Sequence, residues 1–288
     1  MEEEIQKILL KAQKVEVSEA IIYRKLSKAV SGENKKILEK IADDEEKHSN
    51  IWKKYTNKDV KPYFFLVWFY YVIARVFGIT FGLKLMEKAE ERAQINYEKL
   101  SKHVKEAKAI EKEEKGHEEK LINLLKEEKL EYVGSIVLGL NDALVELTGA
   151  LAGLTLALRN PKLIAIVGLI TGIAASMSMA ASEYLSTKSE KAGLKNPFKA
   201  SVYTGIAYIL VVLLLIAPYL FSSNPFVSLA WTLINAVLVI LLFSFYVSVT
   251  KDLNFKKQFL EMTILSLSIA AVSFGIGFVI RNIFGVEV

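Results

Sequence analysis

The sequence predicts an all-α chain in two parts, a charged module of packed helices followed by five helical membrane spans. Three observations predict it. Of 37 basic and 32 acidic side chains, 27 and 25 lie before Tyr132, which leaves 17 charges for the last 157 residues. Those last residues break into apolar stretches about the length a helix needs to cross a bilayer. The front part instead shows apolar residues at helical spacing between charges of both signs.

The front part is taken as residues 1–131. Periodicity places helices over 3–30, 33–57, 84–108 and 109–129, with Ser31-Gly32 separating the first two. Residues 62–85 are strongly apolar. Arg75 sits within that segment and Pro62 opens it, which favours a helix on the membrane surface or packed under the module over a sixth span.

The back part, 132–288, holds five spans: Val133–Leu158, Leu163–Leu185, Ser201–Phe221, Phe226–Thr250 and Phe259–Ile280. The breakers stand in the connectors: Arg159-Asn160-Pro161-Lys162, Asn196-Pro197 and Ser222–Pro225. The loop from Lys188 to Lys199 carries four lysines and that from Lys251 to Lys257 three, whereas Ser222–Pro225 has none. The positive-inside bias therefore expects the front module and these two lysine loops in the cytoplasm. The acidic, amphipathic start of the chain does not read as a signal peptide. The expectation is an integral membrane protein, in the cell membrane if the source is prokaryotic.

Composition narrows the chemistry. There is no cysteine, so disulfides, thiolate metal sites and cysteine nucleophiles are excluded. Both charge signs alternate in the front part and no basic patch is interleaved with aromatics, so no nucleic-acid partner is expected.

The front part repeats itself. Tyr23-Arg24-Lys25-Leu26-Ser27-Lys28 returns as Tyr97-Glu98-Lys99-Leu100-Ser101-Lys102. Glu16 and Glu90 each stand seven residues before the tyrosine, and a Glu-x-x-His follows each copy, Glu45 with His48 and Glu114 with His117. Residues at i and i+3 share a helical face, so each pair can grip one ion. A glutamate from each of two helices and a Glu-x-x-His from each of the other two is the inventory of di-iron and di-manganese carboxylate bundles. The oxygen-rich set with imidazole suits Fe(II), Mn(II) or Co(II). Glu19 is a further candidate ligand, one turn beyond Glu16. Glu46 and Glu113 are adjacent carboxylates without a fixed role, and His103 reads as solvated. Tyr23 and Tyr97 are expected in the core, with a hydrogen bond to a ligand glutamate as a second option.

On these motifs residues 3–129 resemble the rubrerythrin branch of the ferritin-like superfamily. The resemblance implies a ferritin-like four-helix bundle with a two-metal centre of Fe2+ or Mn2+, held by Glu16, Glu45, His48, Glu90, Glu114 and His117. The apolar 62–85 segment departs from that pattern.

The spans carry their own carboxylates, Asp142 and Glu146 in the first and Glu183 in the second. Ionisable groups at bilayer depth are expensive and usually serve an ion or proton path. Asp142 and Glu146 share a face with Gly139, Gly149 and Gly153, while Met179 lies one turn before Glu183. Small residues let such helices approach closely. The other reading is that these carboxylates snorkel and Met179 fills space. Glu261 is expected at the interface beside Lys256 and Lys257.

The stretches Gly139–Glu146 and Ser178–Ser186, with Pro197 and Tyr203-Thr204-Gly205, resemble the vacuolar iron transporter family. That resemblance implies export of Fe(II) or Mn(II) from the cytosol by a homodimer with a pore at its interface, in exchange for protons. It implies Asp142 and Met179 as ion ligands, with Glu146 and Glu183 beside them. Plant members carry an acidic insertion between spans two and three; here a lysine-bearing loop stands instead, and the front module would take over its role. The whole chain is similar to the membrane-bound ferritin group. Two alternatives stay open: a membrane-anchored di-iron ferroxidase or peroxidase, and a module that only senses metal and gates the pore.

Overall fold

A computed structural model describes residues 2–93, 100–101, 103–124, 132–190 and 195–284. Every regular element among them is an α-helix. The chain divides into two units, Met1–Glu127 and Glu128–Val288.

The first unit contains α1 (Glu2–Ser27), α2 (Gly32–Thr56), α3 (Phe64–Phe77), α4 (Ile79–Ala93) and α5 (Ala107–Leu124). Gly32, at φ 66, makes the turn into α2. α1 packs along α2, α2 meets α5, and α4 touches both α3 and α5. On α1 the inward stripe runs Leu9, Ala12, Glu16, Glu19, Tyr23, Leu26, at alternating steps of three and four. On α2 it runs Leu38, Ile41, Glu45, His48, Trp52. All of these side chains are buried. Their apolar ends form two clusters. One gathers Ile22, Tyr23, Leu26, Leu38 and Ile41 with residues of α3 and α4. The other gathers Leu9, Ala12, Trp52, Leu100 and Ile110. The acidic and histidine positions fall in the middle of the same stripes, between the two clusters.

The apolar 62–85 segment is divided by Gly78, at φ 106. α3 has only 14 residues, about 21 Å at 1.5 Å per residue, short of a hydrocarbon core of about 30 Å. α4 begins at Ile79 rather than near 84, because the glycine break and not the charge boundary starts the helix. A Cβ on Gly82 would lie 2.5 Å from Ala74 Cβ, so α3 and α4 are in near-backbone contact. Residues 103–106 form a turn where one helix to 108 was expected; His103 is exposed there, while Tyr97 lies outside the described residues.

The second unit contains α6 (Val133–Leu158), α7 (Pro161–Ser189), α8 (Pro197–Phe221), α9 (Pro225–Thr250) and α10 (Phe255–Phe284). All five are long and apolar enough to span a bilayer, which makes this an integral membrane protein. α7, α8 and α9 start alike. Asn160, Asn196 and Asn224 each accept hydrogen bonds from the first free backbone amides, with proline next in line. Asparagine satisfies the orphan donors and proline lacks the one that would be wasted.

α6 is central and packs against the other four helices. Gly153 and Gly277 bring α6 and α10 together at backbone distance, and Gly139 does the same against Thr204 of α8. Three buried hydroxyls are satisfied by backbone carbonyls: Thr204 donates to Ser135, Thr232 to Leu215, and Ser266 to Leu144. That is the requirement for polar groups in a medium without water.

Candidate metal centre

Four side chains from three helices converge between the two apolar clusters of the first unit. Glu16 of α1, Glu45 and His48 of α2 and Glu114 of α5 present ligand atoms that all lie within 4.8 Å of one another. This group could hold a metal ion. Glu16 and Glu45 are each 2 % exposed and His48 1 %.

The two histidines face the site in the same way. Their rings are stacked with centroids 6.0 Å apart. Glu45 turns one oxygen to each, Oε2 to His48 Nδ1 at 3.5 Å and Oε1 to His117 Nδ1 at 3.3 Å. Glu114 does likewise, Oε1 to His48 Nδ1 at 2.8 Å and Oε2 to His117 Nδ1 at 3.8 Å. Glu16 Oε2 stands 3.8 Å from His48 Nδ1. Glu16 Oε2, Glu45 Oε2, Glu114 Oε1 and both Nδ1 atoms are buried without an aligned hydrogen bond. Five such atoms facing one small volume would be costly as a purely structural arrangement. A divalent cation held by Glu16, Glu45, His48 and Glu114 would satisfy four of them, so the residues present fit one.

The outward nitrogens show why the motif is longer than Glu-x-x-His. His48 Nε2 meets Glu113 Oε2 at 2.9 Å, and His117 Nε2 meets Asp44 Oδ2 at 3.3 Å. Each helix thus supplies, from the residue just before its site glutamate, the carboxylate that holds the other helix's histidine. Such partners orient imidazole ligands and raise their basicity. Glu16 is held by Trp52, whose Nε1 donates to Oε1 at 3.0 Å.

The placement of the expected residues is mixed. Glu16, Glu45, His48 and Glu114 come together, and His117 joins them through Glu45 and Glu114. The Glu90 side chain lies outside the described residues. Glu19 is buried on the same stripe but is not in the group of four. Tyr23 sits in the apolar cluster. The sequence pattern by itself marks no partner role for Trp52, Asp44 or Glu113. The available signal for Trp52 was its spacing, four residues after His48 on the buried stripe. Glu46, by contrast, is a surface group paired with Arg24.

Charge in the site is balanced by protons when no metal is bound. Burial dominates at Glu16, with Glu45 and Glu114 adding to it, and raises its pKa well above the usual 4.5. Burial also opposes ionisation of Glu45, but His117 and His48 outweigh it and bring it down to about 2. Burial disfavours a charged His117, yet Glu114 and Glu45 push it up to about 9. His48 is raised against burial by Glu114, Glu16 and Glu45.

The signs give a testable profile. The histidines stabilise the metal-free fold fully below their usual pKa of 6.5, and this is lost as pH rises through about 9 for His117. Glu16 acts in the same direction from its usual 4.5 upward. Glu45 stabilises above 4.5 and loses this as pH falls toward about 2. The chelator-treated protein is therefore expected to be most heat-stable around pH 4.5–6.5. Metal binding displaces the protons, so the rise in Tm on adding Mn(II) should be larger at alkaline than at acidic pH. A metal-induced shift that is the same at both ends would contradict the assignment. Trp52→Phe keeps the ring but removes the donor to Glu16, and should weaken Mn(II) binding roughly tenfold in a competition titration. An unchanged affinity would remove Trp52 from the site.

In the second unit the carboxylates form a ladder instead of one cluster. Ser135 donates to Glu183 Oε1 at 2.5 Å, and Tyr208 donates to Glu146 Oε2 at 2.7 Å. Ser135 and Glu146 are eleven residues apart on α6, about 16 Å along the axis. Asp142 lies between these levels and is partly buried, as is Met179, which packs against the unit's core. Glu146 and Tyr208 line a groove of about 420 Å³ with Gly149, Gly153, Gly172 and Gly277. Glu261 is exposed and pairs with Lys257 at 3.9 Å.

Comparison with known proteins gives one family. Residues 133–195, covering α6, α7 and the residues that follow them, match the model of the VIT family. A search of curated proteins returned no match to the chain. The match supports a membrane domain of the vacuolar iron transporter type, and with the Glu/His group it points to divalent metal transport.

Proposed function

We propose that the protein is a divalent-metal transporter that exports Fe2+ or Mn2+ from the cytosol in exchange for protons, and that its N-terminal unit is a cytoplasmic ferritin-like bundle with a two-metal centre. The observation that carries this reading is the sharing of Glu45 and Glu114 between His48 and His117. Two carboxylates that each offer one oxygen to either side suit a pair of ions. Glu16 would complete the His48 side and Glu90 the His117 side, with Glu19 as a further candidate. The bundle would capture, sense or oxidise the cargo ion.

In the membrane the cargo would pass Glu183, Met179, Asp142 and Glu146 in a homodimer. A thioether among carboxylates favours Fe(II) or Mn(II) over Mg(II). Carboxylates that release protons when they take up metal make proton exchange chemically reasonable. The lysine-bearing loops support a cytoplasmic N-terminal unit. The test is metal flux with proton tracking in vesicles carrying the full-length protein. Fe(II) or Mn(II) movement without counter-movement of protons would remove the exchange step.

The near-complete burial of Glu16, Glu45 and His48 also favours a second reading. Resident metal ions in such a site suit a membrane-anchored di-iron ferroxidase or peroxidase. Consumption of O2 or peroxide on Fe(II) addition, with no flux, would select it. Three acidic residues within the first two spans favour the transporter, since an anchor needs none.

A further inference from the structure

α3 has two unlike faces. Val67, Tyr70 and Ala74 are buried against the apolar cluster of α1, α2 and α4. The other side carries Phe65 at 83 % exposure, Val76 at 63 % and Trp68 at 55 %, with Phe69 and Val72 beside them. A patch of this kind marks an interaction surface.

Three observations identify what covers it. The first is charge. Between Asp59 and Glu87 there is no acidic residue, only Lys61, Arg75 and Lys84, in a unit where the two signs otherwise alternate. Lys25 Nζ lies 4.5 Å over the Trp68 ring and Lys14 Nζ 4.1 Å over that of Tyr63. Cations at the rim of an aromatic surface are what an interface with anionic headgroups accommodates. The second is length, since 14 residues are too few to cross a bilayer but sufficient to lie along one. The third is reach. α5 ends at Leu124 and the first span begins at Val133, and the eight residues between them extend to at most about 30 Å. A bilayer is therefore always within the tether of this unit.

We infer that α3 lies in the plane of the membrane interface, with Phe65, Phe69, Val72 and Val76 among the acyl chains and Lys14, Lys25, Lys61 and Arg75 at anionic lipid headgroups. Gly78 ends the helix so that α4 can turn away, and the Gly82–Ala74 contact clamps α3 to the rest of the unit. This inference rests on the five spans and not on the identity of the cargo, so a failed flux assay leaves it standing.

The absence of cysteine permits a direct test. Phe65→Cys, Val72→Cys and, as a water-exposed control, Lys35→Cys are each spin-labelled in the full-length protein, in vesicles containing phosphatidylglycerol. The labels at 65 and 72 should be more accessible to dissolved oxygen than to aqueous chromium oxalate, and the label at 35 the reverse. Equal aqueous access at all three would place the face in water and overturn the inference. Shielding of 65 and 72 from both reagents, with dipolar broadening between labels on two copies, would assign the face to a second protomer and overturn it as well. Phe65 and Val72 are exposed, so neither change removes a core contact, and circular dichroism checks that the helices persist.

Discussion

Glu45→Ala combined with Glu114→Ala should abolish divalent-metal binding by the N-terminal unit. Both residues face both histidines, at 2.8–3.8 Å. Their removal takes away the oxygens shared by the two sides and leaves Glu16, His48 and His117 as separate groups. Loss of an outer partner typically costs 10- to 100-fold in affinity. Loss of both shared carboxylates should exceed that, and metal content measured after dialysis should fall from the parent's level to background. The metal-free protein has a different response. Glu45 and Glu114 are the groups that hold the buried histidines charged, and removing one side of a buried ion pair is destabilising. The double variant should therefore unfold at a lower temperature than the chelated parent below about pH 9, and gain nothing from added Mn(II). Retention of stoichiometric metal would mean that the ions sit elsewhere.

Asp142→Ala with Met179→Ala should reduce Fe(II) or Mn(II) flux in proteoliposomes by on the order of 100-fold. A carboxylate at bilayer depth costs about 3 kcal/mol on the insertion scale, and keeping it there calls for a compensating interaction of that order. If the same order of attraction is lost to a partly dehydrated ion, the passage rate falls by about two powers of ten. Asp142 occupies the level between the Ser135–Glu183 and Tyr208–Glu146 hydrogen bonds, so without it the remaining carboxylates are separated by about 16 Å of helix. Undiminished flux in this variant would show that the ion does not take this route. Metal binding by the N-terminal unit should be unchanged, which separates loss of the path from loss of capture.

Much of this architecture is local and therefore legible along the chain. The spans announce themselves by hydropathy and by Asn-Pro starts, which work through side chain and backbone of adjacent residues. The ligand candidates are legible because Glu16, Glu45, His48 and Glu114 occupy positions in a three-four stripe that otherwise holds apolar residues. Charge in a core stripe has to be compensated, and a repeated pattern of compensation implies a site.

Tertiary structure alone decided which groups meet across helices. Asp44 and Glu113 are ordinary members of a charged helix until α2 and α5 are set side by side, when each reaches the other's histidine. Trp52 becomes a partner of Glu16 only through the register of α1 on α2. In the second unit the carboxylates of α6 and α7 invited a single site by their spacing, yet the packing sends Glu183 to Ser135 and Glu146 to Tyr208. Periodicity defines the face of a helix on which a side chain lies. The height at which two faces meet depends on close approaches such as Gly139 against Thr204 and Gly153 against Gly277, and no single segment carries that information.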